Sequence, residues 1–308
     1  MQDAIKVTNL IKDYFESGGV VKRALDKLNL SIPKGEIFGL LGPNGAGKST
    51  LINILAGTIK KTSGDVCIMG ISIDEYPKNA RSQIGIVPQE IVYDTFFPIF
   101  DALEFYAGYY GIKPGNRKTE DILKALSLWD KRNSYPQALS GGMKRRFLIA
   151  KAMVHSPPVL ILDEPTAGVD IELRDQLWKY IKSLKNQGVT VIITTHYLTE
   201  AQELCDEIAF INNGEIVKQD SKNRILDSLG SKYIEFTFSN VINPMNIDKK
   251  YEFISPNKIR FYIDQGKTDY YKMFEIIKNL GGEIIDIHTA SPDLEIIFQQ
   301  IMNSSKTV

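Results

Sequence analysis

The run GEIFGLLGPNGAGKST, Gly35 to Thr50, constrains what this chain can fold into more than any other stretch. Its first half is short and apolar, as in a strand buried on both faces of a parallel sheet. Its second half fits the spacing G-x-x-x-x-G-K-[S/T], and KSTLINILAG then has helical spacing with Gly57 placed as a C-cap. A strand, a glycine-rich turn and a helix in that order gather free backbone N–H groups and the positive end of a helix dipole at one point. Such a point binds phosphate. Gly42, Pro43, Asn44, Gly45, Ala46, Gly47, Lys48, Ser49 and Thr50 form the cradle, with Lys48 reaching the β and γ phosphates and Ser49 holding Mg²⁺.

Four other segments fit the same α/β scheme. VLILDE, Val159 to Glu164, is a second fully apolar strand. It delivers Asp163 to its C-terminal end, where α/β sheets bind ligands. Asp163 there serves the Mg²⁺ shell, and Glu164 orients and deprotonates an attacking water. VTVIITTH ends on His196, which a neighbouring strand would aim at the γ-phosphate, and IGIVP leads to Gln89 in the same way. LSGG places Ser140, Gly141 and Gly142 at the mouth of a helix, where an anion can come close to free N–H groups. His155 and His288 lack such settings and read as structural.

The 308 residues suggest two domains, or one with an appendage. Apolar strands alternating with amphipathic helices imply a mostly parallel α/β core. Ile5 to Leu30 reads as short strands and turns. A helical block at about 98–156 looks inserted into the core. After the core, residues 1–228, a small α+β appendage spans 229–308, with alternating KYIEFTFS and KIRFYID and the helical DYYKMFEIIKNLGG.

Lys plus Arg and Asp plus Glu balance at 37 each, so no global field recruits nucleic acid. The basic run MKRR, Met143 to Arg146, reads as the solvated face of its helix. The aromatic stretch Tyr93 to Tyr110 suits both a subdomain core and a docking surface. Cys67 and Cys205 have no metal or disulfide spacing, and no apolar run has the length of a membrane span, so a cytosolic protein is expected.

The ordered set GPNGAGKST, Gln89, LSGG, LILDEPT, AGVD and TTH resembles the ATP-binding cassette family, the ATPase subunits of ABC transporters, over roughly residues 1–225. The resemblance implies a P-loop NTPase fold, ATP and Mg²⁺ as ligands, and a homodimer closing head to tail over two nucleotides. It implies that Ser140, Gly141 and Gly142 bind the γ-phosphate of ATP held by the other subunit. Gln89 would touch Mg²⁺ and water and sense a membrane partner. Asp170 would lie in the loop linking the two sites. Tyr14 sits where the family puts an aromatic that stacks on adenine, with Phe15 as a rival. Two departures stand out: Met143 replaces the usual glutamine, and AGVD replaces a serine-containing loop.

SPDLEIIFQQIM, LSGGMKRR and DEPTAGVDIELR resemble the exporter branch, whose membrane permease is a separate chain. That places the protein on the cytoplasmic face of the membrane through its permease. Rival readings are a non-transport cassette ATPase acting on nucleic acid or ribosomes, and a regulatory nucleotide-binding module without turnover. The first needs a long coiled-coil insertion or a second cassette, and the second does not need Glu164 and His196.

Overall fold

The computed structural model describes residues 3–15, 21–90, 95–166, 171–195, 197–229, 232–241, 251–263, 270–290 and 294–304. The chain forms two compact units, residues 1–221 and 222–308.

The first unit opens with β1 (Asp3–Phe15), β2 (Val21–Pro33) and β3 (Ile37–Leu41), followed by α1 (Lys48–Ala56). Next come β4 (Ser63–Ile68), β5 (Ile71–Ser72), α2 (Pro77–Ser82) and β6 (Ile84–Val87). The helical block holds α3 (Ile99–Tyr109), α4 (Thr119–Ala125) and α5 (Gly141–Met153), separated by short 3₁₀ turns. The chain then returns to the core through β7 (Val159–Asp163), α6 (Ile171–Asn186) and β8 (Thr190–Thr195). It continues through α7 (Leu198–Leu204), β9 (Glu207–Asn212) and β10 (Glu215–Ser221).

These strands make two sheets. One runs β2-β1-β4-β5 and is antiparallel, and the other runs β10-β9-β3-β8-β7-β6. From β6 to β9 the second is parallel, and β10 closes it as an antiparallel edge. Every residue of β3, β7 and β8 is buried, as the apolar runs IFGLL, VLIL and VII at their centres require of strands covered on both faces. Leu51 and Ile54 of α1 join Leu10, Leu25, Val66 and Ile68 of the antiparallel sheet in one core with Phe38, Ile161 and Ile192. Each such buried side chain contributes about 1.5–3 kcal/mol, enough for this layer to fix α1 against both sheets.

The N-terminal segment differs from its reading as short strands and turns. β1 and β2 are each 13 residues long and pair along their length, with register shifts that break the apolar alternation. Asn9 and Lys27 stand in these strands at φ 47° and 45°.

The second unit starts with α8 (Lys222–Leu229), inside what the sequence assigns to the core. β11 (Lys232–Phe238), β12 (Tyr251–Ser255), β13 (Lys258–Ile263), α9 (Tyr270–Asn279), β14 (Ile284–Ala290) and α10 (Leu294–Ser304) follow. Its sheet runs β12-β13-β11-β14, all antiparallel. Phe236, Phe238, Ile259 and Phe261 form its core with Met273 and Ile277 of α9. Among the described residues no helix is long and apolar enough to cross a membrane.

Candidate active site

Parallel pairing brings the C-terminal ends of four strands to one edge. Leu41 of β3 lies beside Thr195 of β8, Thr194 beside Asp163 of β7, and Leu162 beside Val87 of β6. The turns leaving those ends carry Gly42, Glu164 and Gln89, so one sheet gathers residues that are far apart in the chain.

A cleft of about 930 Å³ opens there. Its lining includes Tyr14, Asn44, Gly45, Gly47, Lys48, Ser49, Thr50, Gln89, Asp163 and Glu164. Lys22, Arg23 and Ala24 of β2 line it too, and no motif marked them in the sequence. They arrive because β2 pairs with β1, setting Lys22 beside Tyr14. Tyr14 faces the cleft, whereas Phe15 is 80% exposed and absent from its lining. Adjacent strand residues point to opposite faces, so only one of the pair can serve. The Lys12 ammonium lies 4.7 Å from the centre of the Tyr14 ring.

The glycine-rich turn has the form an anion site needs. Gly47 caps α1 at φ 111° with no side-chain cap, and no acid stands in the first turn of the helix. A Cβ at Gly47 would lie 2.7 Å from Leu25 and 2.8 Å from the Ala24 carbonyl, so position and conformation both demand glycine. Gly42 is equally confined, because a Cβ there would sit 2.3 Å from the Ile211 carbonyl. Gly42 and Pro43 accept from Lys48 Nζ at 2.6 and 3.0 Å, and Ala46 N donates to Pro43 O at 3.2 Å. Burial pushes the Lys48 ammonium below its ordinary pKa, and the carboxylates of Glu164 and Asp163 oppose that shift. Oxygen donors from Ser49, Gln89 and Asp163 share this cleft, the hard set that suits Mg²⁺.

Asp163 accepts a hydrogen bond from the buried Thr194 hydroxyl. Glu164 stands at φ 47°, a left-handed conformation that costs a non-glycine residue about 1–2 kcal/mol. Its N–H donates to Thr194 O at 3.0 Å, and its Oε2 accepts from Gln89 Nε2 at 2.8 Å. A carboxylate turned into a cleft by a strained backbone is the arrangement expected of a functional residue.

Ser140, Gly141 and Gly142 are not part of the cleft lining. Ser140 caps α5, its Oγ accepting from Met143 N at 3.4 Å. Gly141 is exposed, and a Cβ there would meet nothing within 4 Å among the described residues. Asp170 and His196 lie outside the described residues.

The expectation that MKRR is a solvated face is overturned at its end. Arg145 and Arg146 are buried, 4% and 7% exposed. Arg146 donates to Leu126 O at 2.8 Å, and Arg145 reaches backbone carbonyls of the strand ends. Arg145 can be buried because main-chain oxygens satisfy its planar N–H donors, whereas Arg146 Nε finds no hydrogen-bond partner among the described residues. His155 is structural, stacked 3.9 Å from the Tyr110 ring with Nε2 3.1 Å from Ile84 O. Of the aromatic stretch, Phe96, Phe105 and Tyr109 are 78%, 61% and 79% exposed, and residues 91–94 lie outside the described set.

Residues 25–167 match the sequence profile of the ABC transporter family. The chain is 38% identical over 223 residues to the linearmycin resistance ATP-binding protein LnrL of Bacillus subtilis (strain 168), covering 71% of this chain and 72% of that one. It is 34% identical over 224 residues to the Nod factor export ATP-binding protein I of Ralstonia nicotianae, covering 72% and 68%. Among solved structures it is similar to the ATP-binding cassette MJ0796 in a dimeric post-hydrolysis state bound to ADP and Pi. That likeness has a TM-score of 0.63 and 29% identity over 70% of this chain and 98% of that one. It is similar too to cbiO1 from Clostridium perfringens, part of the cbiONQ transporter complex, with a TM-score of 0.63 and 30% identity, covering 74% and 95%. The chain belongs to the ABC transporter family as an ATP-binding subunit, and it is an ATPase.

Proposed function

We propose that this chain powers an ABC exporter, driving a separate membrane permease from its cytoplasmic face as a head-to-tail homodimer over two MgATP. Among its relatives, the one named for Nod factor export and the one named for linearmycin resistance support an export role. The glycine-rich turn and Lys48 bind the triphosphate, and Tyr14 stacks on the adenine. Ser49, Asp163 and Gln89 hold Mg²⁺, which supplies charge neutralisation at the transferred phosphate. Glu164 orients and deprotonates the attacking water, and His196 faces the γ-phosphate. Ser140, Gly141 and Gly142 complete the site of the partner subunit, beside its Asp170 loop.

The observation that carries the dimeric reading is Gly141. Nothing among the described residues excludes a side chain there, yet it opens a capped helix toward solvent. A glycine that its described neighbours do not require fits a surface where another molecule's phosphate comes close. Closure binds ATP more tightly than the open state does, and that differential affinity becomes work on the permease. Exposed Phe96, Phe105 and Tyr109 offer an apolar surface for the permease. Unit 1–221 carries the chemistry, and unit 222–308 is accessory.

The test is co-purification and turnover. The chain, expressed with the permease encoded beside it, should purify as a complex that releases phosphate from MgATP. Phosphate release without any bound polytopic partner, in cells that make that partner, would count against the transport role.

A further inference from the structure

Arg145 has no place in the proposed chemistry, yet its guanidinium contacts the main chain on both sides of the site. It sits on α5, in the helix that Ser140 begins. Its Nη1 donates to Pro88 O at 2.6 Å and Gln89 O at 3.0 Å. Its Nη2 donates to Asp163 O and to Glu164 O at 2.7 Å, and its Nε to Pro165 O at 3.2 Å. Five carbonyls from the ends of two neighbouring strands thus converge on one side chain that is 4% exposed.

Two of those carbonyls belong to the residues whose side chains meet in the cleft, Gln89 and Glu164. Gln89 hangs from Nη1 and Glu164 from Nη2, and their side chains then touch at 2.8 Å. Glu164 keeps φ 47°, a conformation that persists only where the surroundings hold both sides of the residue. Its N–H donates to Thr194 O, and its carbonyl accepts from Arg145 Nη2. Lysine could not do this, because a point ammonium lacks the planar fork that spans two segments. Arg146, the next residue, contacts Leu126 within the helical block instead.

We infer that Arg145 is a positioning residue for hydrolysis: one guanidinium sets the Gln89–Glu164 contact and ties it to the helix that Ser140 caps. The inference rests on the reading of Glu164 as general base. A displacement of a base by about 1 Å costs on the order of 10²-fold in rate, so loss of the fork should act on turnover and spare nucleotide binding.

The test compares wild type with Arg145→Lys, Arg145→Gln, Arg146→Lys and Glu164→Gln. MgATP affinity, kcat, KM and thermal unfolding are measured for each. Both Arg145 variants should lower kcat by about 10- to 100-fold, with MgATP affinity little changed. Arg146→Lys should lower the unfolding temperature yet keep wild-type kcat per folded chain. Wild-type turnover in a folded Arg145 variant would overturn the inference, as would affinity and kcat falling together with the folded fraction. If one Arg145 variant does not fold, the other decides. Glu164→Gln separates the two claims. If it turns over like wild type, the base assignment fails. If it is inactive while the Arg145 variants are not, only the positioning role fails.

Discussion

Gln89 donates its side-chain amide to Glu164 Oε2 at 2.8 Å, across the ends of two adjacent parallel strands. One residue proposed to meet Mg²⁺ therefore touches the residue proposed to activate water. A shift in the segment that carries Gln89 must be felt at the carboxylate.

Replacing Glu164 by glutamine keeps its size and removes its basicity. Turnover should fall by about 10²–10⁴-fold with ATP affinity retained. The variant should accumulate as an ATP-bound dimer, seen as an earlier peak on size-exclusion chromatography with MgATP. An unchanged rate of phosphate release would remove Glu164 from the chemistry.

The trans role of Ser140 is open to complementation. A chain carrying Lys48→Ala and a chain carrying Ser140→Arg should each be inactive. Mixed dimers should regain activity, because one composite site then carries both lesions and the other neither. Demonstrated heterodimers no more active than either parent would count against composite sites.

Gly42 is confined by the neighbouring strand. A methyl there meets the Ile211 carbonyl at 2.3 Å, and main chain yields little. Gly42→Ala should cost about 1–3 kcal/mol of stability. It should weaken ATP binding as well, since the Gly42 carbonyl receives Lys48 Nζ. Urea unfolding and nucleotide titration read the two effects, and a variant as stable as wild type would contradict the packing argument.

The second unit should be acid-sensitive through Glu235. Burial raises the pKa of its carboxyl, but hydrogen bonds from Lys258 and Arg260 outweigh burial and bring it below the ordinary value. A depressed carboxylate stabilises the fold above its unfolded pKa, and the stabilisation is lost as pH falls through the folded one. Acidification through and below the ordinary carboxylate range should therefore speed hydrogen exchange of the β11 amides. Glu235→Gln should flatten that dependence and cost about 1–2 kcal/mol at neutral pH, with both cations partly exposed. Identical pH profiles in the two proteins would show that the ion pairs contribute nothing.

A chain ending at Ser221 should bind MgATP with affinity close to that of the full chain, because every described residue of the cleft precedes that point. A folded truncation without affinity, judged by circular dichroism and nucleotide titration, would mean that residues 222–308 contribute to the site.

Much of this was legible from β3, β7 and β8, whose central apolar runs admit little but burial and whose flanking polar residues must then lie at strand ends. The choice between Tyr14 and Phe15 was not legible, because it depends on the register that sets Tyr14 beside Lys22. β1 and β2 read as fragments because register shifts and the left-handed Asn9 and Lys27 interrupt a period that is otherwise two. Arg145 was misread for a related reason. A charge in a sequence advertises solvent, and only the fold reveals the main-chain oxygens that can replace it.

The strand order has a consequence for how the chain is made. β3 leaves the ribosome well before its partners in the sheet, β8 and β9, which begin at Thr190 and Glu207. At a synthesis rate of about 5–20 residues per second, that wait is roughly ten to thirty seconds. Through it the apolar IFGLL segment has neither of its neighbouring strands. The strand that leads into the phosphate cradle is thus made long before it is secured, and the nascent chain depends on whatever shields that segment until residues near 212 emerge.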